Sequence, residues 1–128
     1  MPLSLATTVR EYPELPYQTI ADTILGHPYS LTLVFVGTDR AQTLNQTTRG
    51  KDYIPNVLSF PLTAKAGEIY ICPAIAKREA PRHFRNYPSY VGYLFIHGCL
   101  HLKGYAHGAT MEELEQQYCT QFGFAERR

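Results

Sequence analysis

"YVGYLFIHGCLHLKGYAHG", residues Tyr90 to Gly108, is the stretch on which the fold turns. From Tyr90 to Leu102 it contains no Lys, Arg, Asp or Glu, so a helix here is apolar all round and belongs in the middle of the protein. His97 and His101 are its main polar side chains. Four residues apart, they project from one helix face a turn apart, near enough for both imidazoles to hold one ion. Gly104 lets the chain turn sharply, and the loop "GYAH" can carry His107 back over the same face as a third ligand. Neutral imidazoles at ~2.0–2.1 Å are a usual zinc shell, and three protein ligands leave a position for water, the arrangement of a catalytic site. Other divalent ions take the same donors.

Any one of these histidines alone would more often be a core residue satisfied by hydrogen bonds. Two buried imidazoles on one apolar helix both need partners, and a metal supplies them together. The spacing is also that of zinc proteases, in which a glutamate after the first histidine usually serves as general base; here that residue is Gly98. A metalloprotease-like hydrolase is thus a reading that lacks its base. Cys99 lies two residues from either helix histidine and points to another face, as packing. His27 and His83 fit no such spacing and read as surface or loop residues, and Met111 is explained by its place in a helix.

Beyond this stretch, Thr110 and Glu113 form a capping-box pattern that predicts a last helix through "EELEQQYCTQF". Upstream, Tyr17, Ile20, Ala21, Ile24 and Leu25 recur at helical spacing between Pro16 and Gly26. "SLTLVFVG" reads as a strand, followed by Thr38 as the N-cap of a helix running to about Arg49. "NVLSF" and "EIYIC" are two more strand-like runs; Pro61 and Gly67 mark "PLTAKAG" between them as a turn or loop, and helix resumes near Pro73. Strands alternating with helices predict an α/β (α+β) fold: one small domain over 1–128, a mixed, mostly parallel four-stranded sheet packed with helices, and the metal site on a buried central helix.

With 45% hydrophobic and 18% charged residues, the 128-residue chain suits one compact core and excludes a disordered chain. No run approaches the ~18 uncharged apolar residues of a membrane span, and "MPLSLATTVREYP" has neither a basic leader nor a long apolar run, so a cytoplasmic location is expected. Cys72, Cys99 and Cys119 sit in apolar surroundings without a CxxC, as reduced core thiols. The net charge of +1 gives no global argument for nucleic acid. Basic residues cluster locally: Lys77, Arg78, Arg82 and Arg85 in "KREAPRHFR", read as a solvated helix face, and Arg49 with Lys51.

Two motifs together resemble a known family. "HGCLHLKGYAH" resembles the HGxLHLxGYDH signature of the YbeY-type endoribonucleases, the bacterial rRNA maturation factors. "LNQTTRGKDYIPNVLSFP" is similar to the family's LNxxYRxxxxxTDVLSFP segment and "GEIYIC" to its GDIxIC strand, so the likeness runs from about Leu33 to Glu115. The resemblance implies a small α/β fold and one zinc on His97, His101 and His107. It further implies single-strand-directed RNA cleavage in small-subunit rRNA maturation and ribosome quality control, with RNA and the ribosome or its proteins as partners. It assigns Arg49 to the RNA-binding and catalytic cleft, where a guanidinium can hold a phosphate in a bidentate fork; Lys51 joins it as a substrate-binding residue. RNA cleavage can use the metal as Lewis acid or hydroxide source without a glutamate at position 98, and water and the 2′-hydroxyl both stand as nucleophile. The chain departs from the pattern at Ala106, where the family has aspartate, at Thr48 for tyrosine, and at Pro55-Asn56 for TD. If that aspartate orients a ligand histidine, its loss weakens metal binding by ~10–100-fold, which keeps open a ribosome-associated factor whose metal is structural or weakly held.

Overall fold

Two runs of the chain bury every second residue, Leu31, Leu33 and Phe35 in one and Ile69 and Ile71 in the other, the period-2 pattern of strands with one face on a core. The computed structural model describes residues 3–84 and 86–124; Arg85 of the basic run lies outside them. In chain order the elements are β1 (Leu3–Thr7), α1 (Tyr17–Leu25), β2 (Ser30–Phe35), α2 (Thr38–Arg49), β3 (Val57–Thr63), β4 (Ala66–Ile71), α3 (Pro73–His83), α4 (Tyr87–Lys103) and α5 (Ala109–Phe122). The sheet order is β1-β2-β4-β3; β1–β2 and β2–β4 pair in parallel and β3–β4 antiparallel, the mixed, mostly parallel sheet that the sequence predicts.

Local expectations are corrected at three places. "PLTAKAG" is mostly strand: β3 and β4 form a hairpin that turns at Ala64 and Lys65, with a register shift between Pro61 and Thr63. Pro61 is tolerated because β3 is a sheet edge, where a missing N–H costs no ladder bond. Thr38 is the first helical residue of α2 and Gly37 its cap, while α5 starts from Gly108, so the capping box of Thr110 and Glu113 does not form. By contrast, α4 has a side-chain cap that opens it at Tyr87: Asn86 Oδ1 accepts from the Ser89 N–H at 2.8 Å.

Across the core face of the sheet lies α4, ten of whose residues are buried, packed against α1, α3, α5, β3 and β4. Phe124 approaches Gly92 so closely that a Cβ there would sit 2.4 Å from its ring. At the other end, Lys103 Nζ donates to the Ile24 carbonyl at 2.8 Å, tying the last turn of α4 to the last turn of α1. Val34 and Tyr70, alternate to the core-facing residues, pack on a second small cluster with Ala41 of α2, Cys72 and Ile75. All three cysteines are buried. No helix among the described residues is long and apolar enough to cross a membrane.

Candidate metal centre

Because α4 is held by the core on most of its circumference, its two half-buried histidines have fixed backbones. Gly104, at φ +113°, ends the helix, and the following loop returns His107 to the same face. The three side chains converge as the spacing predicts: one ligand atom from each lies within 4.8 Å of the others, and the ring centroids are 4.5, 5.1 and 4.6 Å apart.

Which ring nitrogen faces the centre follows from the partners of the other. The Tyr105 carbonyl can only accept, so His101 Nδ1 donates to it at 3.0 Å. His97 Nδ1 donates to Glu115 Oε2 at 2.5 Å, from the buried face of α5. Both Nε2 atoms are then lone-pair acceptors, and they face each other 3.1 Å apart. Two unshared acceptors at that distance repel unless a cation sits beside both, and tetrahedral zinc with Zn–N of ~2.0–2.1 Å sets its nitrogens ~3.3–3.4 Å apart. The donor set therefore fits a divalent metal on imidazole Nε2 atoms. Burial first, and the neighbouring His97 next, pushes the His101 imidazole below its ordinary range, which keeps it in the neutral, ligating form.

Arg49, from the last turn of α2, lines the same cleft of about 360 Å³ with Val57, Leu58, Ser59 and the three histidines. Its Nη1 donates to Asn45 Oδ1 at 3.4 Å. Fully buried Asn45 also donates to the Tyr53 carbonyl at 2.9 Å, so one side chain fixes both the arginine and the path into β3. Lys51 is exposed, beyond the Gly50 cap, and does not line the cleft. Gly98 packs on the sheet: a Cβ would lie 3.0 Å from Ile69 Cδ1 and from Ser59 Oγ, a tight place for the larger glutamate of a protease. The departure at Asn56 has a local reason, since its Nδ2 donates to Glu79 Oε1 at 3.0 Å, where an aspartate would set carboxylate against carboxylate. His27 is exposed, as expected; exposed His83 stacks on Tyr90 at 5.5 Å.

Sequence reasoning missed Glu115 and Asn45. The signal for Glu115 was its position between Met111 and Cys119 at four-residue steps, a carboxylate on the buried face of α5. Asn45 carried a fainter one, as a polar residue four before Arg49 on the face that α2 buries.

A family model described as endoribonuclease YbeY matches residues 6–123. An endoribonuclease YbeY from Bdellovibrio bacteriovorus is 39% identical over 90 residues, 69% of this chain and 60% of that protein's length. One from Paraburkholderia phytofirmans is 33% identical over 132 residues, 90% of this chain and 86% of that protein. A Thermotoga maritima protein of known solution structure matches with a TM-score of 0.65 at 27% identity, over 94% of this chain and 88% of its own. Matched by that family model over residues 6–123, and 33% identical to a member along most of both chains, the chain belongs to the endoribonuclease YbeY family.

Proposed function

We propose that residues 1–128 act as one metal-dependent endoribonuclease unit, with a single zinc on His97, His101 and His107 and single-stranded RNA as substrate. The setting is small-subunit rRNA maturation and ribosome quality control in the cytoplasm, in contact with the ribosome. One observation carries the reading: a guanidinium from α2 and three convergent imidazoles from α4 and its loop line one cleft. When bound, the ion would polarise a phosphate oxygen or supply a hydroxide at neutral pH.

The chain's own residues do the rest. Glu115 and the Tyr105 carbonyl hold the two helix imidazoles in one tautomer and orientation. Arg49, steadied by Asn45, presents its fork to phosphate oxygens and stabilises the charge that grows on them. Lys51 adds positive charge from outside the cleft. Peptide hydrolysis is the weaker reading, because Gly98 is packed against Ile69 and Ser59.

Single-turnover cleavage of a single-stranded rRNA fragment tests the proposal, with casein as the competing substrate and each reaction repeated with chelator. Wild type should cut RNA only without chelator. Arg49→Ala should keep its circular dichroism and zinc while losing about 100-fold or more in rate, since a preorganised charge at a developing anion is typically worth ~2.7–4 kcal/mol. Arg49→Lys should recover only part, because it keeps charge but not the fork. A zinc-loaded Arg49→Ala that cuts at the wild-type rate would return Arg49 to an ordinary surface role, and casein cleavage without RNA cleavage would overturn the nuclease reading.

A further inference from the structure

A second cavity, of about 610 Å³, runs back along α4 from the histidine cleft and shares its His97 and Val57 walls. That volume is within the ~300–1,000 Å³ of small-molecule sites. One wall is a helical stripe of Tyr90, Tyr93, Leu94 and His97. Its rings form a series: Tyr93 lies 6.0 Å from Tyr90 at an interplanar angle of 16°, and 6.0 Å from His97 at 38°. His83 extends the series, stacked on Tyr90 at 16°. The facing wall comes from α5, with Glu112, Glu115 and Gln116.

The two cavities differ in charge. Arg49 and the metal ligands line the first, whereas no Lys or Arg is among the described residues lining the second, and two carboxylates are. A phosphate would meet carboxylates and no cation among these described residues. Aromatic faces beside a carboxamide are instead what a nucleobase uses, by stacking and by hydrogen bonds along its edge.

We propose that this second cavity is a nucleobase subsite: the base of a nucleotide flanking the scissile phosphate stacks on Tyr93, within reach of the Gln116 carboxamide. The inference rests on the endoribonuclease reading and deepens it, dividing the substrate at His97, with backbone on the Arg49 side and base on the Tyr93 side. The buried Phe84 and Tyr90 rings flank Tyr93, with centroids 5.2 and 6.0 Å away. Tyr93 contributes binding, so its removal acts on KM before kcat.

The test compares wild type, Tyr93→Ala and Tyr93→Phe on single-stranded oligoribonucleotides in which an abasic residue is moved through the positions flanking the cleavage site. Zinc content is measured for each protein. Tyr93→Ala should raise KM about 10-fold on intact RNA, in line with losing one base stack, and Tyr93→Phe should stay near wild type. At one flanking position the abasic substitution should weaken wild type to a similar degree and leave Tyr93→Ala unaffected, the non-additivity of two partners in one contact. A binding arm in chelator, reading the quenching of 2-aminopurine at that position, should show the same loss in Tyr93→Ala independently of cleavage. Wild-type cleavage and binding indifferent to an abasic residue at every flanking position would overturn the subsite and leave the nuclease reading intact, as would a Tyr93→Phe no better than Tyr93→Ala. Absence of RNA binding and cleavage in wild type would overturn both.

Discussion

Glu115 changes what Ala106 means. From sequence, the alanine in "GYAH" looks like the loss of a carboxylate that orients a ligand. The orienting carboxylate for His97 comes from another helix, and His101 uses a backbone carbonyl that needs no particular side chain at position 106. Glu115→Ala should therefore lower metal affinity by about 10–100-fold, the usual effect of removing a ligand's outer partner. Ala106→Asp, which adds a carboxylate to the exposed loop beside His107, should raise affinity by a smaller factor. Competitive chelator titration of the two variants measures both, and an unaltered Glu115→Ala would mean that the helix holds His97 without its partner. At this scale the sequence displays candidate ligands better than their supports: three histidines at this spacing stand out, whereas Glu115 is one of eleven acidic residues and its position against His97 depends on packing between α4 and α5.

Elements were legible where burial imposes a period and illegible where it does not. α1 and β2 match their patterns because one face of each is buried. β1 gave no pattern to read, since four of its five residues are exposed and only its pairing with β2 makes it a strand. The caps of α2 and α5 fall on glycines whose neighbours offered better side-chain chemistry, so backbone path outweighed capping propensity. The close approach of Phe124 to α4 at Gly92 yields a stability prediction. Gly92→Ala gains helix propensity, yet its methyl would lie 2.4–2.6 Å from three atoms of the ring. The clash should win, with a net loss of about 1–3 kcal/mol and a lower melting temperature in thermal unfolding, the cost of overpacking a tight core. Phe124→Ala combined with Gly92→Ala should cost less than the sum of the two alone.

For the molecule as a whole, a half-buried imidazole and buried phenols bound the pH range of stability on its two sides. On the acid side, His101 of the metal-free protein has a folded pKa below its unfolded one, so its contribution is complete above the ordinary imidazole range near 6.5 and is lost as pH falls through it. On the alkaline side, burial, joined at Tyr90 by Glu79, raises the Tyr17 and Tyr90 phenols far above their usual range. Their contribution is complete below about 10 and declines as pH rises beyond it, where the unfolded chain ionises first. Denaturant midpoints should accordingly fall on both sides of neutral pH, and the phenolate absorbance of some of the ten tyrosines should develop only together with loss of circular dichroism. Strand order was the global property that sequence could not show, because helices separate the parallel strands and nothing local states which pair meets. That order governs assembly during synthesis. β4, the last strand made, is an inner one, so a nascent chain that ends before Ala66 holds only β1 and β2 on one side of a gap and β3 on the other. Tyr12 and Tyr17, made earlier, already meet Phe35, while α4, which packs on β3 and β4, arrives some fifty residues after β2. The chain emerges with an inner strand made last and its central helix later still, so the core closes late, not by growth from the amino-terminal end.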